Sequence, residues 1–283
     1  MPDLPAIPPL PRIMVAPNGA RRTRADHPRL PLSENELVET AIACRAAGAG
    51  GIHLHLRDEE GRHVLDAARY RGLVAAISDA VPGFFIQITS EAVGRYGPDE
   101  QIAVLRAAHP PAASVALGEL LPAGADPGPA RDFYHWAREE GIALQHILYA
   151  PAELERLLRL QDEGILPEGG MQLLFVLGRH SAGQRSRPAD LDPFLARLPP
   201  DRPLDWAVCA FGPEETACLV YGAHRGGKVR VGFENSLWNA DGRLALDNAE
   251  RVREVAERLA RLDAARTRRA NRTGDTAMKE PAP

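Results

Sequence analysis

Hydrophobic and polar residues alternate along this chain in short runs, and longer stretches of helical period separate the runs. Period-two runs bounded by Gly, Pro or Asn read as strands, and period-3.6 runs as helices. The pattern predicts strands at Ile13–Ala16, Gly51–Leu56, Phe84–Thr89, Ala113–Leu117, Ile142–Leu148, Met171–Leu177, Leu204–Cys209 and Lys228–Phe233. It predicts helices from Ser33 to about Ala47, Leu65–Ala80, Pro98–Ala108, Pro129–Glu140, Pro151–Glu163, Ala189–Leu198, Pro213–His224 and Leu246–Leu262. Ser33-Glu-Asn-Glu36 has the form of a capping box. Pro98 suits a first helical turn, and Gly141 suits the position just past a helix end. Strict alternation implies right-handed βαβ units and a parallel sheet. Eight such units point to a closed (β/α)8 TIM barrel. The rival, an open doubly wound sheet, normally carries a Gly-rich phosphate turn after its first strand. Pro17-Asn-Gly-Ala-Arg21 is not such a turn.

The flanks read differently. Residues 1–11 hold five prolines and are expected to form an extended arm before a barrel domain at 12–264. Residues 265–283 are polar and are expected to be a disordered tail. With 283 residues, 45% of them hydrophobic, the chain is long enough for one large core. A net charge of −4 suggests neither a nucleic-acid surface nor a membrane-binding face. No run has the length of a membrane-spanning helix, and the start lacks a signal-peptide layout. The three cysteines, Cys44, Cys209 and Cys218, show no metal spacing. A sparse, odd set fits a reducing compartment, so a cytoplasmic location is expected.

Candidate chemistry sits at the carboxyl ends of the strands, where barrel enzymes place their sites. In Gly51-Gly-Ile-His-Leu-His-Leu-Arg-Asp58 the residues two apart share a face. His53 and His55 therefore project together, about 7 Å apart along the strand. Alone, a buried histidine is usually a hydrogen-bonded core residue. A His-x-His pair at a strand end, with Glu234 at the end of another strand, reads as a metal site with three protein ligands. Arg230 shares a face with Glu234 and is suited to gripping a carboxylate or stabilising an enolate. An interior ion pair with Asp58 or Glu234 is its plainer role. Asn18, Arg21, Arg22 and Arg24 follow strand one. Gln87 and Thr89 alternate inward on strand three, followed by Ser90 and Glu91. Arg179 opens a basic, glycine-containing loop, Gly178–Arg187. That loop suits the phosphates of an acyl carrier such as coenzyme A, and equally a solvated loop.

Ala16-Pro-Asn-Gly-Ala20, Leu30-Pro-Leu-Ser33, Ala47-Gly-Ala49, His53-Leu-His-Leu-Arg-Asp58, Ile86-Gln-Ile-Thr-Ser90, Phe175-Val-Leu-Gly178 and Val229-Arg-Val-Gly-Phe-Glu-Asn235 together resemble the β-keto acid cleavage enzymes. The resemblance spans roughly residues 12 to 262. It implies a (β/α)8 homotetramer with one zinc per subunit, held by His53, His55 and Glu234. It implies that a β-keto acid reacts with acetyl-CoA to give acetoacetate and a new acyl-CoA. Arg230 would assist the chemistry, and Thr89 would stand where the family has a small hydroxyl residue near the substrate. Asn18, Gln87, Ser90 and Arg179 are the further substrate-binding candidates. The sequence departs from the family pattern twice. Asn235 stands where the family has an aspartate acting as base, so Glu91 or Asp58 becomes a candidate base, because an amide cannot accept a proton as a carboxylate does. Arg21 stands where the family has an acidic residue that meets an amino substituent, which points to an anionic or neutral substrate. A zinc-dependent aldolase or hydrolase, and a non-catalytic barrel binding metal and a small acid, are the alternatives.

Overall fold

The computed structural model describes residues 4–277, with side chains described through residue 268. In chain order its strands are β1 (Ile13–Val15), β2 (Gly51–Leu54), β3 (Leu56–Arg57), β4 (His63–Val64), β5 (Phe85–Thr89), β6 (Ala112–Ala116), β7 (Ala143–Leu148), β8 (Met171–Leu177), β9 (Leu204–Ala210) and β10 (Lys228–Val231). Its α-helices are α1 (Glu34–Ala46), α2 (Ala67–Ala80), α3 (Pro98–Ala108), α4 (Leu117–Leu120), α5 (Gly128–Glu139), α6 (Pro151–Asp162), α7 (Asp192–Leu195), α8 (Glu215–His224) and α9 (Asn248–Ala277). Eight strands close a barrel in the order β1-β10-β9-β8-β7-β6-β5-β2, while β3 and β4 form a separate antiparallel pair. All neighbours around the ring run parallel, and β1 closes it by pairing with both β10 and β2. The TIM-barrel expectation holds, and closure places the end of β10 across from the end of β2.

Local signals explain the element ends. Ser33 accepts from the Glu36 amide, and the Glu36 carboxylate reaches back to the Ser33 amide, which completes the capping box of α1. Pro98 occupies the first turn of α3. Gly141 follows the cap of α5 with φ +73°, a conformation that favours glycine. Three expectations change. The helix expected over 189–198 is a 3-10 turn, Pro188–Leu191, followed by the short α7. Pro193 has no amide to bond Ala189, so a continuous helix cannot form there. The β3–β4 hairpin interrupts the path from β2 to α2. The last helix continues past Leu262 to Ala277, so the segment from 265 expected as a disordered tail is helical that far. Ala and Arg, which recur there, are good helix formers. Residues 278–283 lie outside the described residues, and no described helix is long and apolar enough to cross a membrane.

The arm packs across the amino end of the barrel. Arg138 donates to the Pro5 carbonyl at 2.7 Å, Gln172 to the Pro8 carbonyl at 2.7 Å, and the Leu10 amide to Asp205 at 2.8 Å. Leu10 is buried with Met14, Leu174 and Ala207 inside the ring. The arm thereby covers part of the bottom, and the described cavity lies among the carboxyl ends.

One core histidine sets a pH dependence of folding. His146 on β7 stacks on Tyr134 with ring centroids 5.5 Å apart and donates to the Gln172 carbonyl at 3.3 Å. Burial pushes its pKa down from 6.5 to about 4. Between those values the unfolded chain binds a proton that the folded chain refuses. The stability is therefore full above about pH 6.5 and falls as pH drops towards 4, by about 3 kcal/mol at most. Urea midpoints of wild type and His146→Phe, at about pH 7.5 and about pH 4.5, check this. Wild type should lose more stability on acidification than the variant. Equal losses would show that His146 does not carry the effect.

Candidate metal centre

β2 brings His53 to the inside of the ring, and His55 follows just past its end. Their Nε2 atoms lie 3.0 Å apart. Glu234 places Oε2 3.6 Å from His53 Nε2 and 3.4 Å from His55 Nε2. These three residues form the candidate metal-binding group among the described residues. Atoms held on zinc-like bonds of about 2.0–2.1 Å at tetrahedral angles lie about 3.3 Å apart, so the observed spacing fits a small cation. Glu234 Oε2 is buried and has no hydrogen-bond partner among the described residues, as expected of an atom reserved for a metal.

The turn after β10 delivers Glu234. Gly232 has φ +140°, and a Cβ there would lie 2.5 Å from the Ala16 carbonyl oxygen. Glu215 at the start of α8 accepts from the Gly232 amide, and Asn248 at the start of α9 accepts from the Phe233 amide at 2.9 Å. Gly19 leaves the space into which the glutamate swings, since a Cβ on it would meet Glu234 Cγ at 2.6 Å.

A relay inside the barrel orients His53. Gln145 donates to the Leu173 carbonyl at 3.1 Å, which leaves its oxygen to accept from Gln87 at 3.0 Å. Gln87 Oε1 then accepts from His53 Nδ1 at 2.8 Å. A carbonyl can only accept, so every donor in the relay is fixed, and His53 must present the lone pair of Nε2 to the mouth. Gln87 thus sits beneath a ligand and is not among the residues that line the described cavity. Metal affinity should fall about 10–100-fold in Gln87→Leu, the usual cost of losing such a partner. Titration against a chelator measures it, and an unchanged affinity would show that the relay does not orient His53.

Charge reinforces the geometry. Burial alone would raise the Glu234 pKa, but Arg230, then His53 and His55, hold the carboxylate well below the usual range. Burial above all keeps His53 neutral, well below the ordinary histidine value. A carboxylate and a neutral imidazole at His53 are ionisation states that metal ligation needs. Arg230 donates Nη2 to Glu234 Oε1 at 2.8 Å and to Cys209 Sγ at 3.5 Å, while its buried Nε and Nη1 have no partner among the described residues. Burial pushes the Cys209 thiol up to about 11, so it stays protonated.

The cavity beside the ligands holds about 120 Å³. Asn18, Arg21, Thr89, Glu91, Arg179 and Arg230, all singled out in the sequence, line it together with the ligands. Arg22 lines it too, whereas Arg24 pairs outside with Glu36. Asn18 also donates to the His55 carbonyl at 2.9 Å. Three more candidates lie elsewhere. Asp58 belongs to the β3–β4 hairpin turn, accepts from the Arg62 side chain at 2.8 Å and is not among the residues that line the described cavity. Ser90 has the opposite parity to Thr89 and donates to the Ser114 carbonyl at 3.2 Å. Asn235 is fully buried beyond the ligand; among the described residues its side-chain amide atoms have no partner, and it does not line the described cavity. Tyr149, just past β7, lines the cavity and was missed. Its position one residue after a barrel strand was the available signal. The Arg57 guanidinium donates to the Gly19, Arg22 and Gly61 carbonyls and so shapes the loop after β1.

The sequence profile of the beta-keto acid cleavage enzymes matches residues 12–271. The chain belongs to the β-keto acid cleavage enzyme family. As a member it is an enzyme, of the carbon–carbon cleaving acyltransferase kind. Among curated relatives, the 3-keto-5-aminohexanoate cleavage enzyme of Fusobacterium nucleatum subsp. nucleatum is 30% identical, over 84% of this chain and 86% of that protein. The 3-oxoadipate:acetyl-CoA acetyltransferase of Cupriavidus necator is 26% identical, over 86% of each chain. Among solved structures, a ternary complex of ObcA with C4-CoA adduct and oxalate aligns with TM-score 0.65 at 20% identity. That alignment covers 82% of this chain and 64% of the ObcA chain, a likeness of fold alone.

Proposed function

We propose that the protein is a zinc-dependent β-keto acid cleavage enzyme, which converts a β-keto acid and acetyl-CoA into acetoacetate and a new acyl-CoA. The observation that carries this reading is the convergence of two imidazoles and a carboxylate beside a buried guanidinium, at the carboxyl-end mouth of a family barrel. Zinc bound by His53, His55 and Glu234 would act as a Lewis acid that acidifies the carbon between keto and carboxylate groups. Three protein ligands leave a position open for substrate. Asp58 is turned away and residue 235 is an amide. Glu91 is then the carboxylate, among described residues lining the cavity, that is not a ligand and is free to take the carbon-bound proton. The resulting enolate attacks the acetyl thioester carbon and expels the thiolate. The thiolate attacks the original keto carbon, the carbon–carbon bond breaks to release the new thioester, and the departing enolate takes back the proton held by Glu91 to become acetoacetate. Arg230 offers Nε and Nη1 to the oxyanions that form along this path. Ile147, Val176 and Phe211 in the wall limit water, which would otherwise hydrolyse the thioester.

The wall also speaks to the substrate. Arg21, Arg22, Arg179 and Arg230 outnumber Glu91 and Glu234, so the cavity favours anions. Neutral or dicarboxylic β-keto acids are the proposed substrates. A guanidinium about 4 Å from a cationic substituent, at an effective dielectric near 20, opposes it by about 4 kcal/mol as an upper bound. Arg21→Glu should therefore shift kcat/KM from anionic towards cationic keto acids. An unchanged ratio would show that Arg21 does not read the substrate. The reaction itself is tested with a panel of β-keto acids and labelled acetyl-CoA. Label in acetoacetate, formed only when both substrates are present, is expected. Product without acetyl-CoA would indicate an aldolase or hydrolase. A homotetramer in solution and a cytoplasmic location belong to the same proposal, and light scattering tests the first.

A further inference from the structure

Glu91 stands in the cavity wall, and among the described residues its carboxylate makes no hydrogen bond. His55 Nδ1 lies 3.8 Å and Arg179 Nη2 3.9 Å from it. The backbone around Glu91 is the opposite case. The Ser90 carbonyl accepts from Gln101 Nε2, and the Glu91 carbonyl accepts from His63 Nε2 at 3.1 Å. The Ala92 amide donates to Glu119 Oε2 at 3.0 Å. Consecutive residues are thus tied to side chains from α3, β4 and α4. We infer that Glu119 and Gln101 are positioning residues for the base. They clamp the turn after β5, so that Glu91 reaches the cavity from a fixed backbone. This rests on the proton abstraction proposed for Glu91 above.

The two side chains act as one unit. Gln101 is fully buried on α3, and its amide nitrogen has two hydrogens to place. One goes to the Ser90 carbonyl and the other to Glu119 Oε2 at 2.9 Å. A carbonyl and a carboxylate only accept, so the orientation of the Gln101 amide is fixed. Glu119 Oε2 therefore gathers two donors, one from α3 and one from the turn. Glu119 itself sits on α4, which follows directly on β6, the neighbour of β5 in the ring. Its bond to Ala92 thus joins the ends of two adjacent strands. The Glu91 amide adds a bond to Thr89 Oγ1 at 3.0 Å.

The clamp works against a local backbone preference. Val93 has φ +48° and Gly94 follows with φ +73°. A β-branched residue rarely adopts the left-handed region, and such a conformation persists only where the surroundings impose it. The bond from Ala92 to Glu119 is made one residue before that point. A carboxylate without partners on a held backbone suits proton transfer. Its lone pairs stay available to the substrate, while the backbone confines it to the reacting geometry.

Proton abstraction is read by itself as exchange of hydrogen into heavy water at the carbon between the keto and carboxylate groups, with acetyl-CoA left out. The probe is the β-keto acid of the panel above that wild type exchanges fastest, measured above the uncatalysed rate. Glu119→Ala and Gln101→Leu should each slow this exchange about 10–100-fold, the scale on which a misplaced reacting group costs rate. KM for the keto acid and zinc content should stay close to wild type, because neither residue lines the cavity or belongs to the ligand group. Glu119→Gln keeps an oxygen that can accept from the Ala92 amide and should recover much of the rate. A loss that Glu119→Gln leaves in place, or one that comes with loss of zinc, would overturn the inference. Glu91→Gln separates the clamp from the base. If it abolishes exchange while Glu119→Ala and Gln101→Leu exchange as wild type does, the base stands and the clamp falls. If Glu91→Gln exchanges at the wild-type rate, the base assignment falls and takes the clamp with it.

Discussion

His53→Ala, His55→Ala and Glu234→Ala are each expected to lose the bound metal and to lower turnover by roughly 10³-fold or more. A Lewis acid contributes several kcal/mol of transition-state stabilisation, and about 1.4 kcal/mol is a factor of ten. The three changes act differently on the way to that result. Without Glu234, Arg230 keeps its charge but loses the carboxylate 2.8 Å away that it holds in place. Without His53, the relay from Gln145 through Gln87 ends on an unpartnered amide oxygen. Without His55, Glu234 Oε2 loses the imidazole nitrogen 3.4 Å away. Metal analysis of the purified proteins, with circular dichroism to confirm folding, measures the effect. Full zinc content in all three variants would end the assignment of these ligands.

Arg251→Met should destabilise the fold by about 3–5 kcal/mol, the usual cost of stranding a buried charge. Arg251 is fully buried; its guanidinium donates to Glu215 at 2.7 Å, Thr216 at 2.9 Å and Asn239 at 3.1 Å. Removing it leaves Glu215 in a dry interior, where burial already raises its pKa to about 7 against the pull of Arg251. The double change Arg251→Met with Glu215→Leu should recover much of the loss, because two apolar residues tolerate the interior better than one unpaired charge. Urea unfolding gives both numbers. A single variant as stable as wild type would show that the pair contributes nothing. The site should respond as well, since Glu215 accepts from the Gly232 amide at the turn that carries Glu234. Metal affinity should therefore fall even in the restabilised double variant.

Which residues would meet was only partly written in the chain. The eight strands are legible because each is a short apolar run between glycines and prolines, and a parallel sheet buries both of its faces. Met171–Leu177 is legible to the residue for that reason. His53 and His55 were legible as a pair because residues two apart share a face whatever the sheet does. Parity, however, gives a side and not a depth. Gln87 and Thr89 point the same way on β5, yet one lies beneath a ligand and the other lines the cavity. Their height in the barrel depends on strand tilt and stagger, which closure alone sets. Past the strand ends even parity stops. Asp58 is drawn off into a hairpin turn, Asn235 is buried behind Glu234, and Tyr149 turns into the cavity. The sequence by itself determined the elements, their parallel order and the donor types of the metal centre, because those follow from local periodicity and side-chain chemistry. Only the tertiary structure decided which flanking residues reach the cavity, because ring closure and loop paths are set by contacts between residues far apart in the chain.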